Sequence, residues 1–467
     1  MKALRKQIAD FFAGKRIALL GLGKEGQSTW NLIRSYHPKL SIHVYDEKSE
    51  KPKGLKLDRN TTFFGYTKFK KLNVGEYDLV LTSPGIPPRK LPASLVKGDI
   101  LFGQAELFLR WFGWQTIGIT GTKGKSTTSS LTYHILKKAG FKVFLGGNIG
   151  VPLFDLIPKL SSNSYVVAEL SCHQLNRSKA SPHIGILLNL FVEHLDYYKS
   201  KEAYFHSKLP IFKYQNTEDT FIYNKDDRQI AKYLRKANTT HHKISYSLAG
   251  NKADLQTLEN TLSTSLLRGK DFIPISNLLG RINYYNIMPA IAVAALLKIN
   301  KSEIRKHLQS FQPLSHRLEY LGKVNNILFV NDSISTIPEA TQAAVQALEH
   351  IGSLFLGGMD RGVAYSHLVS FLKKKKINNV VFFDQAGKRM YREYKKQFPS
   401  QLAKLNHIVT SDFSEAIEFC LKHTPANTYC LLSPAASSYG IFKNFEDRGD
   451  QFEKQILQLS KTKKFKK

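Results

Sequence analysis

Cysteine is scarce in this 467-residue chain: Cys172, Cys420 and Cys430 are unevenly spaced and odd in number. That excludes a disulfide framework and a cysteine-based zinc site, and it points to a reducing compartment. No stretch approaches the roughly 18 apolar residues of a membrane span. Met1–Ile8 carries charge but lacks the apolar core of a secretion signal, so the expectation is a cytoplasmic protein that neither leaves the cell nor crosses a membrane. Acidic residues are also few. With 37 Asp and Glu against 68 Lys and Arg, the formal net charge is +31, a balance that draws polyanions. Three readings compete: a nucleic-acid partner, a polyphosphate substrate, or a lysine-heavy composition with no special partner. The lysines are scattered, with short runs only at Lys373–Lys376 and Lys461–Lys467. No aromatic-basic stripe accompanies them, so no nucleic acid is expected.

What the chain does have is Gly118-Ile119-Thr120-Gly121-Thr122-Lys123-Gly124-Lys125-Ser126-Thr127. The β-branched run Thr116–Thr120 reads as a buried strand. Ser126–Ala139 places Leu131, Ile135, Leu136 and Ala139 on one helical stripe and is closed by Gly140. A strand, a glycine loop and a helix N-terminus make a phosphate cradle: backbone N–H groups turn toward an oxyanion, Lys125 reaches the β- and γ-phosphates, and the Ser126 hydroxyl is placed to ligate Mg²⁺. The glycines recur every third residue, unlike the usual G-x-x-x-x-G-K-[ST] spacing.

The length implies two to four domains. Arg16–Leu20 reads as a strand, Gly21–Gly26 as a glycine turn, Gln27–Ser35 as a helix, and Ser41–Tyr45 as a strand ending at Asp46, the pattern of a nucleotide-binding βαβ unit. About 100 residues hold only half of a doubly wound sheet, so a one-nucleotide site is expected, with Asp46 facing a ribose or base. Asp78–Thr82 runs into the stiff turn Ser83–Pro88. Ser164–Leu170 delivers Glu169 at a strand end, where a Mg²⁺-directed carboxylate belongs. Ile184–Leu190 is another buried strand, followed by Glu193, His194 and Asp196, a metal or acid–base cluster unless it is a solvated loop. Lys208 falls in a predicted helix, Ala203–Phe212, and on residue type alone is a surface charge. Asn283 and Asn286 open the apolar helix Ile287–Leu297; they read a base edge, or Asn283 simply caps the helix. The remaining strands, Ile327–Asn331, Gly352–Leu356, Val380–Phe383 and Thr428–Leu432, each end in a polar or glycine cluster at one sheet edge. The fold class is α/β in three domains: a Rossmann-like half at 1–103, a phosphate-loop domain at 104–313, and a C-terminal Rossmann-like domain at 314–467.

Gly118–Thr128, Gly146–Gly150, Glu169–Gln174, His316-Arg317 and Asn331-Asp332-Ser333 together resemble the Mur ligase family, ATP-dependent enzymes that add amino acids to UDP-N-acetylmuramic acid. Ser83-Pro84-Gly85-Ile86, Leu432–Ala435, Phe442–Phe445 and Arg448-Gly449 are similar to its glutamate-adding members. The resemblance implies phosphorylation of the alanyl carboxylate of UDP-N-acetylmuramoyl-L-alanine by ATP, then attack by the glutamate amine. It implies two Mg²⁺ ions, one on Ser126 and Glu169, the other on His194 and a carbamylated Lys208. Lys125, Glu169, His194 and Lys208 would be catalytic. Gly121, Thr122, Lys123, Gly124, Lys125, Ser126, Thr127, Asn283, Asn286, Arg317 and Asp332 would contact ATP. Gly23, Lys24, Glu25, Asp46, Ser83, Gly85 and Asn148 would lie near the UDP-sugar, and Thr336, Arg361, Ser438 and Phe445 would border glutamate. The expected partners are these small molecules, and the expected state is a monomer.

Against the family pattern, Lys123 replaces Asn, Ile282 replaces His and Glu193 replaces Asp. Ile334 and Arg361 stand where the D-glutamate enzymes have Lys, and Gly440 where they have Asp. Read as the paired loss of a buried cation and a nearby carboxylate, the last three changes favour L-glutamate, with Arg361 gripping the side-chain carboxylate. The same reaction with D-glutamate is the alternative. More distant are a folate-type polyglutamate ligase, a nucleic-acid-dependent ATPase and a non-enzymatic nucleotide-binding scaffold.

Overall fold

The structure is a computed structural model that describes residues 1–467 except 49, 53–54, 237–239, 259–260, 267–277, 279–282 and 461–467. Ile282, Gly280-Arg281 and the tail Lys461–Lys467 therefore lie outside the described residues. The chain forms two compact units, 1–274 with 284–308, and 275–283 with 309–467.

The first unit holds two sheets. One contains β1 (Ile17–Leu20), β2 (Ile42–Tyr45), β3 (Thr61–Phe64), β4 (Leu79–Thr82) and β5 (Leu101–Gly103), all parallel, in the order β3-β2-β1-β4-β5. The half-sheet expectation is corrected here, since these are five of the six strands of the doubly wound order. β3 and β5 escape a periodicity reading because Thr61–Phe64 is an edge strand that alternates half-buried and exposed residues, and β5 is three residues long. The second sheet contains β6 (Thr116–Thr120), β7 (Val143–Gly147), β8 (Tyr165–Glu169), β9 (Ile184–Leu187), β10 (Thr220–Asn224), β11 (His242–Ser247), β12 (Leu255–Leu258) and β13 (Thr261–Thr264). Its order is β13-β12-β11-β10-β9-β6-β8-β7, parallel except for the β12–β13 hairpin. β6 is buried along its whole length, as expected of a central strand covered on both faces.

A single apolar cluster spans both sheets, from Ile8, Phe12 and Ile33 to Phe154, Val166 and Phe221. Polar ties reinforce it: Ser28 donates to Asp155 at 2.7 Å, and Gln104 donates to Thr29 at 3.0 Å. The helix of the glycine turn begins at Lys24 and runs to Tyr36, earlier than expected. Gly26 packs so closely on the carbonyl of Gly21 that a Cβ there would overlap it, which is why the third glycine of this motif is obligatory.

Lys208 is not in a helix. It sits in the turn between Lys201–His206 and Pro210–Lys213, where Pro210, which has no N–H to continue a preceding helix, begins a new one. Ile184–Leu190 is likewise strand only to Leu187; Asn189 and Leu190 leave the ladder to bond elsewhere.

The second unit is built on β14 (Glu319–Val324), β15 (Ile327–Asn331), β16 (Ile351–Gly357), β17 (Asn379–Phe383), β18 (Asn406–Thr410) and β19 (Tyr429–Leu432). Their order is β14-β15-β19-β16-β17-β18, parallel apart from the β14–β15 hairpin. Apolar clusters pack on both faces, around Leu354 and Met390 on one and Phe355 and Phe452 on the other.

Candidate active site

In the first unit the phosphate loop leaves β6 at Gly121 and enters the helix Lys125–Lys138. Gly124 caps that helix with φ +85°, and a Cβ there would strike the side-chain oxygen of Asn286; only glycine meets both demands. Asn189, just past β9, holds the loop open. Its Oδ1 accepts from Thr122 N at 3.0 Å and Lys123 N at 2.8 Å, and its Nδ2 donates to Lys123 O at 3.0 Å. Thr122 Oγ1 accepts from Phe191 N and from the Tyr204 hydroxyl, at 3.0 and 3.1 Å. The sequence reading passed over Asn189. Its signal is a polar residue inside the apolar run Leu187–Leu190.

A half-buried amine and a fully buried one converge on one oxygen. Lys125 Nζ donates to Gly121 O at 3.0 Å and to Thr122 O at 2.9 Å, and Lys208 Nζ donates to the same Gly121 O at 2.9 Å. Lys208 is 1% exposed, so the surface-charge reading is corrected. Burial, with the Lys125 charge added, pushes the Lys208 pKa down to about 7, and burial lowers that of Lys125 as well. Beside them Glu169 ends β8, 1% exposed. Its Oε1 accepts from Asn148 Nδ2 at 2.6 Å, whereas Oε2 is buried with no hydrogen-bond partner. An orphaned carboxylate oxygen among lysines calls for a cation or a proton donor. Ser126 is buried at the helix start. Lys123, which replaces the family's Asn, pairs with Glu193 at 2.5 Å, so the two departures form one ion pair. His194 adopts φ +54°, and its ring meets that of His173 edge-on at 4.9 Å and that of Tyr204 at 5.9 Å. Among the described residues no group of three His, Cys, Asp or Glu side chains assembles a metal site. The donors present, Ser126, Glu169, His194 and Lys208, suit Mg²⁺ only if Lys208 gains oxygen atoms.

A second cleft runs along the two sheets of this unit, lined among others by Glu25, Ser83, Gln104, His173, Gln174 and Arg177. Gln174 donates to Glu25 at 2.5 Å, and burial pushes the Glu25 pKa up to about 7. Ser83 donates to Gly21 O at 3.0 Å. Asp46 is committed to the glycine turn: its carboxylate accepts from Leu22 N at 2.8 Å and Lys48 N at 3.0 Å. Gly23 and Lys24 open the helix that follows the glycine turn, and Gly85 lies in the turn after β4.

Of the remaining expected residues, Asn286 belongs to the first unit, while Asn283, Arg317 and Asp332 belong to the second. Asp332 accepts from Ser335 at 2.5 Å, Ser433 at 2.8 Å and Leu318 N at 3.2 Å. Burial still pushes its pKa up to about 6. Thr336 and Phe445 are half-buried, Ser438 is buried and Arg361 is exposed. Gly440 is exposed too, with φ +104° and no atom within 4 Å of a Cβ placed on it. The reading of Ile334 and Gly440 as the paired loss of a buried cation and a nearby carboxylate is corrected accordingly, because Ile334 is only half-buried and Gly440 is exposed.

The Mur ligase middle domain family matches residues 119–294. A UDP-N-acetylmuramoylalanine--D-glutamate ligase of Christiangramia forsetii is 33% identical over 96% of this chain and 100% of its own length. A ligase of the same name from Limosilactobacillus reuteri is 30% identical over 97% and 98%. Among solved structures, MurF from Acinetobacter baumannii aligns over 95% of this chain and 90% of its own with a TM-score of 0.59 at 17% identity. MurC of Thermotoga maritima aligns over 95% and 99% with a TM-score of 0.55 at 16% identity. Full-length identity at this level, with the lysine pair and the orphaned glutamate around the phosphate loop, places the chain in the Mur ligase family, ATP-dependent enzymes that form amide bonds.

Proposed function

We propose that the chain joins D-glutamate to UDP-N-acetylmuramoyl-L-alanine at the expense of ATP, as a cytoplasmic monomer in peptidoglycan precursor synthesis. The observation that carries this reading is the 33% identity, over the full length of both chains, to a ligase named for that reaction. The L-glutamate expectation is withdrawn. The relatives matched along the whole chain are named for D-glutamate, and the departures that favoured L-glutamate include two exposed positions, 361 and 440.

The chemistry assigned to the site is phosphoryl transfer to the alanyl carboxylate, followed by attack of the glutamate amine on the acyl phosphate and loss of phosphate. Lys125 would release its loop carbonyls to meet the transferring phosphoryl group, where fixed positive charge stabilises the developing charge. Ser126 and Glu169 would hold one Mg²⁺, and the partnerless Glu169 Oε2 supports that role. His194 and Lys208 would hold a second. When bound, the metals supply Lewis acidity toward the phosphoryl oxygens. Lys208 suits carbamylation, since a lysine with its pKa near 7 is about half in the neutral form that adds to CO₂ at neutral pH. Gly23, Lys24, Glu25, Asp46, Ser83, Gly85 and Asn148 would flank the UDP-sugar, with Asp46 acting through the turn it braces. In the second unit Thr336, Arg361, Ser438 and Phe445 would border the amino acid. This assigns 1–103 to the UDP-sugar, 104–313 to ATP and 314–467 to glutamate. The test is ATP-dependent phosphate release with UDP-N-acetylmuramoyl-L-alanine and either glutamate isomer. D-glutamate alone should turn over, and turnover with L-glutamate alone would refute the assignment.

A further inference from the structure

On the flank of the first unit, the turn that presents Lys208 also forms the wall of an open cleft of about 870 Å³. Arg177, Lys179, His206, Lys213 and Lys236 contribute to its lining, and among the described residues no Asp or Glu does. Of these cations, Lys179 is paired with Asp99 at 2.8 Å, while Glu106 pairs with Arg110 at 2.7 Å and Glu202 with Lys201 at 3.8 Å, leaving Arg177, Lys213 and Lys236 as the cleft's unneutralised cations among the described residues. The helix Arg228–Lys236, which supplies Lys236, contains no acidic residue at all. A cleft lined by one sign of charge focuses its field into the opening and concentrates counter-ions there.

Arg177 is the unusual member. It is a non-glycine residue at φ +71°, a conformation that persists only where the surroundings impose it. Its guanidinium is half-buried, and burial lowers its pKa while only the distant charge of Glu106 opposes that, with no side-chain or backbone acceptor bonding to it among the described residues. A guanidinium offers five N–H donors in a flat fork that matches the oxygens of a phosphate. Aromatic walls stand ready beside the cations: the His206 ring meets Tyr233 edge-on at 5.1 Å, and Lys213 lies 5.4 Å from the Tyr214 ring centre.

We propose that this cleft is a further anion-binding site of the enzyme, distinct from the phosphate loop and adjoining the Glu25–Ser83 cleft with which it shares Arg177, and that it takes a small phosphorylated molecule through Lys213 and Lys236 with Arg177 at the shared wall. Its volume lies within the range of small-molecule sites. Because Ser207, Leu209 and Pro210 line the cleft, an occupant bears directly on the turn that carries Lys208. The site is independent of which glutamate isomer the enzyme uses.

The test is calorimetric titration of inorganic pyrophosphate into the full chain, with the phosphate loop first saturated by a non-hydrolysable ATP analogue and the UDP-sugar substrate present. One further binding event is expected. The double variant Lys213→Gln, Lys236→Gln should weaken it at least about 10-fold, and salt should weaken it steeply. Both lysines are exposed, so the double variant should keep the wild-type melting temperature and its affinity for the analogue. Absence of a binding event beyond the saturated sites, or an affinity unchanged in the double variant, overturns the proposal. Failure of the ligase reading would instead show as failure of the analogue itself to bind.

Discussion

Among the described residues two Lys or Arg side chains are buried, Lys208 in the first unit and Arg448 in the second, and they are held in opposite ways. Arg448 in the second unit is fully buried, and its guanidinium spends its donors on Ser333 Oγ at 3.0 Å, Ala436 O at 3.1 Å and Ser333 O at 2.8 Å. Asp332 adds a compensating charge, although burial still pulls the Arg448 pKa down to about 9. Lys208 in the first unit has one acceptor, Gly121 O, and shares it with a second amine. A buried cation that is fully hydrogen-bonded holds loops together. A buried amine with one shared bond and a pKa near 7 is held in a reactive state, at a cost in stability that a purely structural residue would not carry.

The comparison breaks first, and most visibly, at Arg448. Arg448→Met should strip the loop carbonyls at Ser333 and Ala436 of their donor and destabilise the second unit by about 3–5 kcal/mol, read by denaturant unfolding. Lys208→Met should do the reverse. Its melting temperature should equal or exceed the wild type, because an ill-compensated buried amine is replaced by an apolar chain of similar volume, while ATP-dependent ligation falls by about 10²–10³-fold or more. If Lys208→Met unfolds like Arg448→Met, the two cations are alike and the contrast fails. Carbon-13 NMR of the wild type in labelled bicarbonate should show a carbamate signal that Lys208→Met lacks. Next in size is Asn189→Ala, which removes three hydrogen bonds from the phosphate loop. At about 1 kcal/mol for each bond that counts, activity should drop about 10–100-fold with the fold retained, as judged by circular dichroism.

The most gradual effects are in pH, and their signs differ between the units. Lys208 titrates near 7 when folded and near 10.4 when unfolded. The folded state therefore binds fewer protons across that window, and its contribution to stability rises with pH from about 7 to about 10. Asp332 titrates near 6 when folded against about 3.9 unfolded. The folded state holds more protons there, and stability falls as pH climbs from about 4 to about 6. Each slope is at most about 1.4 kcal/mol per pH unit, and Lys208→Met should abolish the first without touching the second.

Much of this was legible in the sequence where a pattern is local. The phosphate loop, the strand Thr116–Thr120, the carboxylate at the end of β8 and the doubly wound character of the first hundred residues follow from periodicity and from glycines with a mechanical reason to be there. Lys208 was not legible from its own surroundings: a lysine among polar neighbours carries no mark of burial, and only the resemblance marked it. Asn189 was hidden inside an apolar run, and the short edge strands β3 and β5 carry too few residues to show a period. Burial at an isolated position is the property that residue type shows least. A lost charge pair at Ile334 and Gly440 requires a buried cation site with a carboxylate beside it, whereas Ile334 is half-buried and Gly440 exposed. Lys123 and Glu193, by contrast, looked like two separate departures and are one ion pair.

The measurement closest to the central claim is phosphate release from ATP with Mg²⁺ and UDP-N-acetylmuramoyl-L-alanine, run in parallel with D-glutamate and L-glutamate on the wild type and on Lys125→Ala. The account predicts turnover with D-glutamate only and a loss of about 10²–10³-fold in the variant. Turnover with L-glutamate only, or a variant as fast as the wild type, would contradict it.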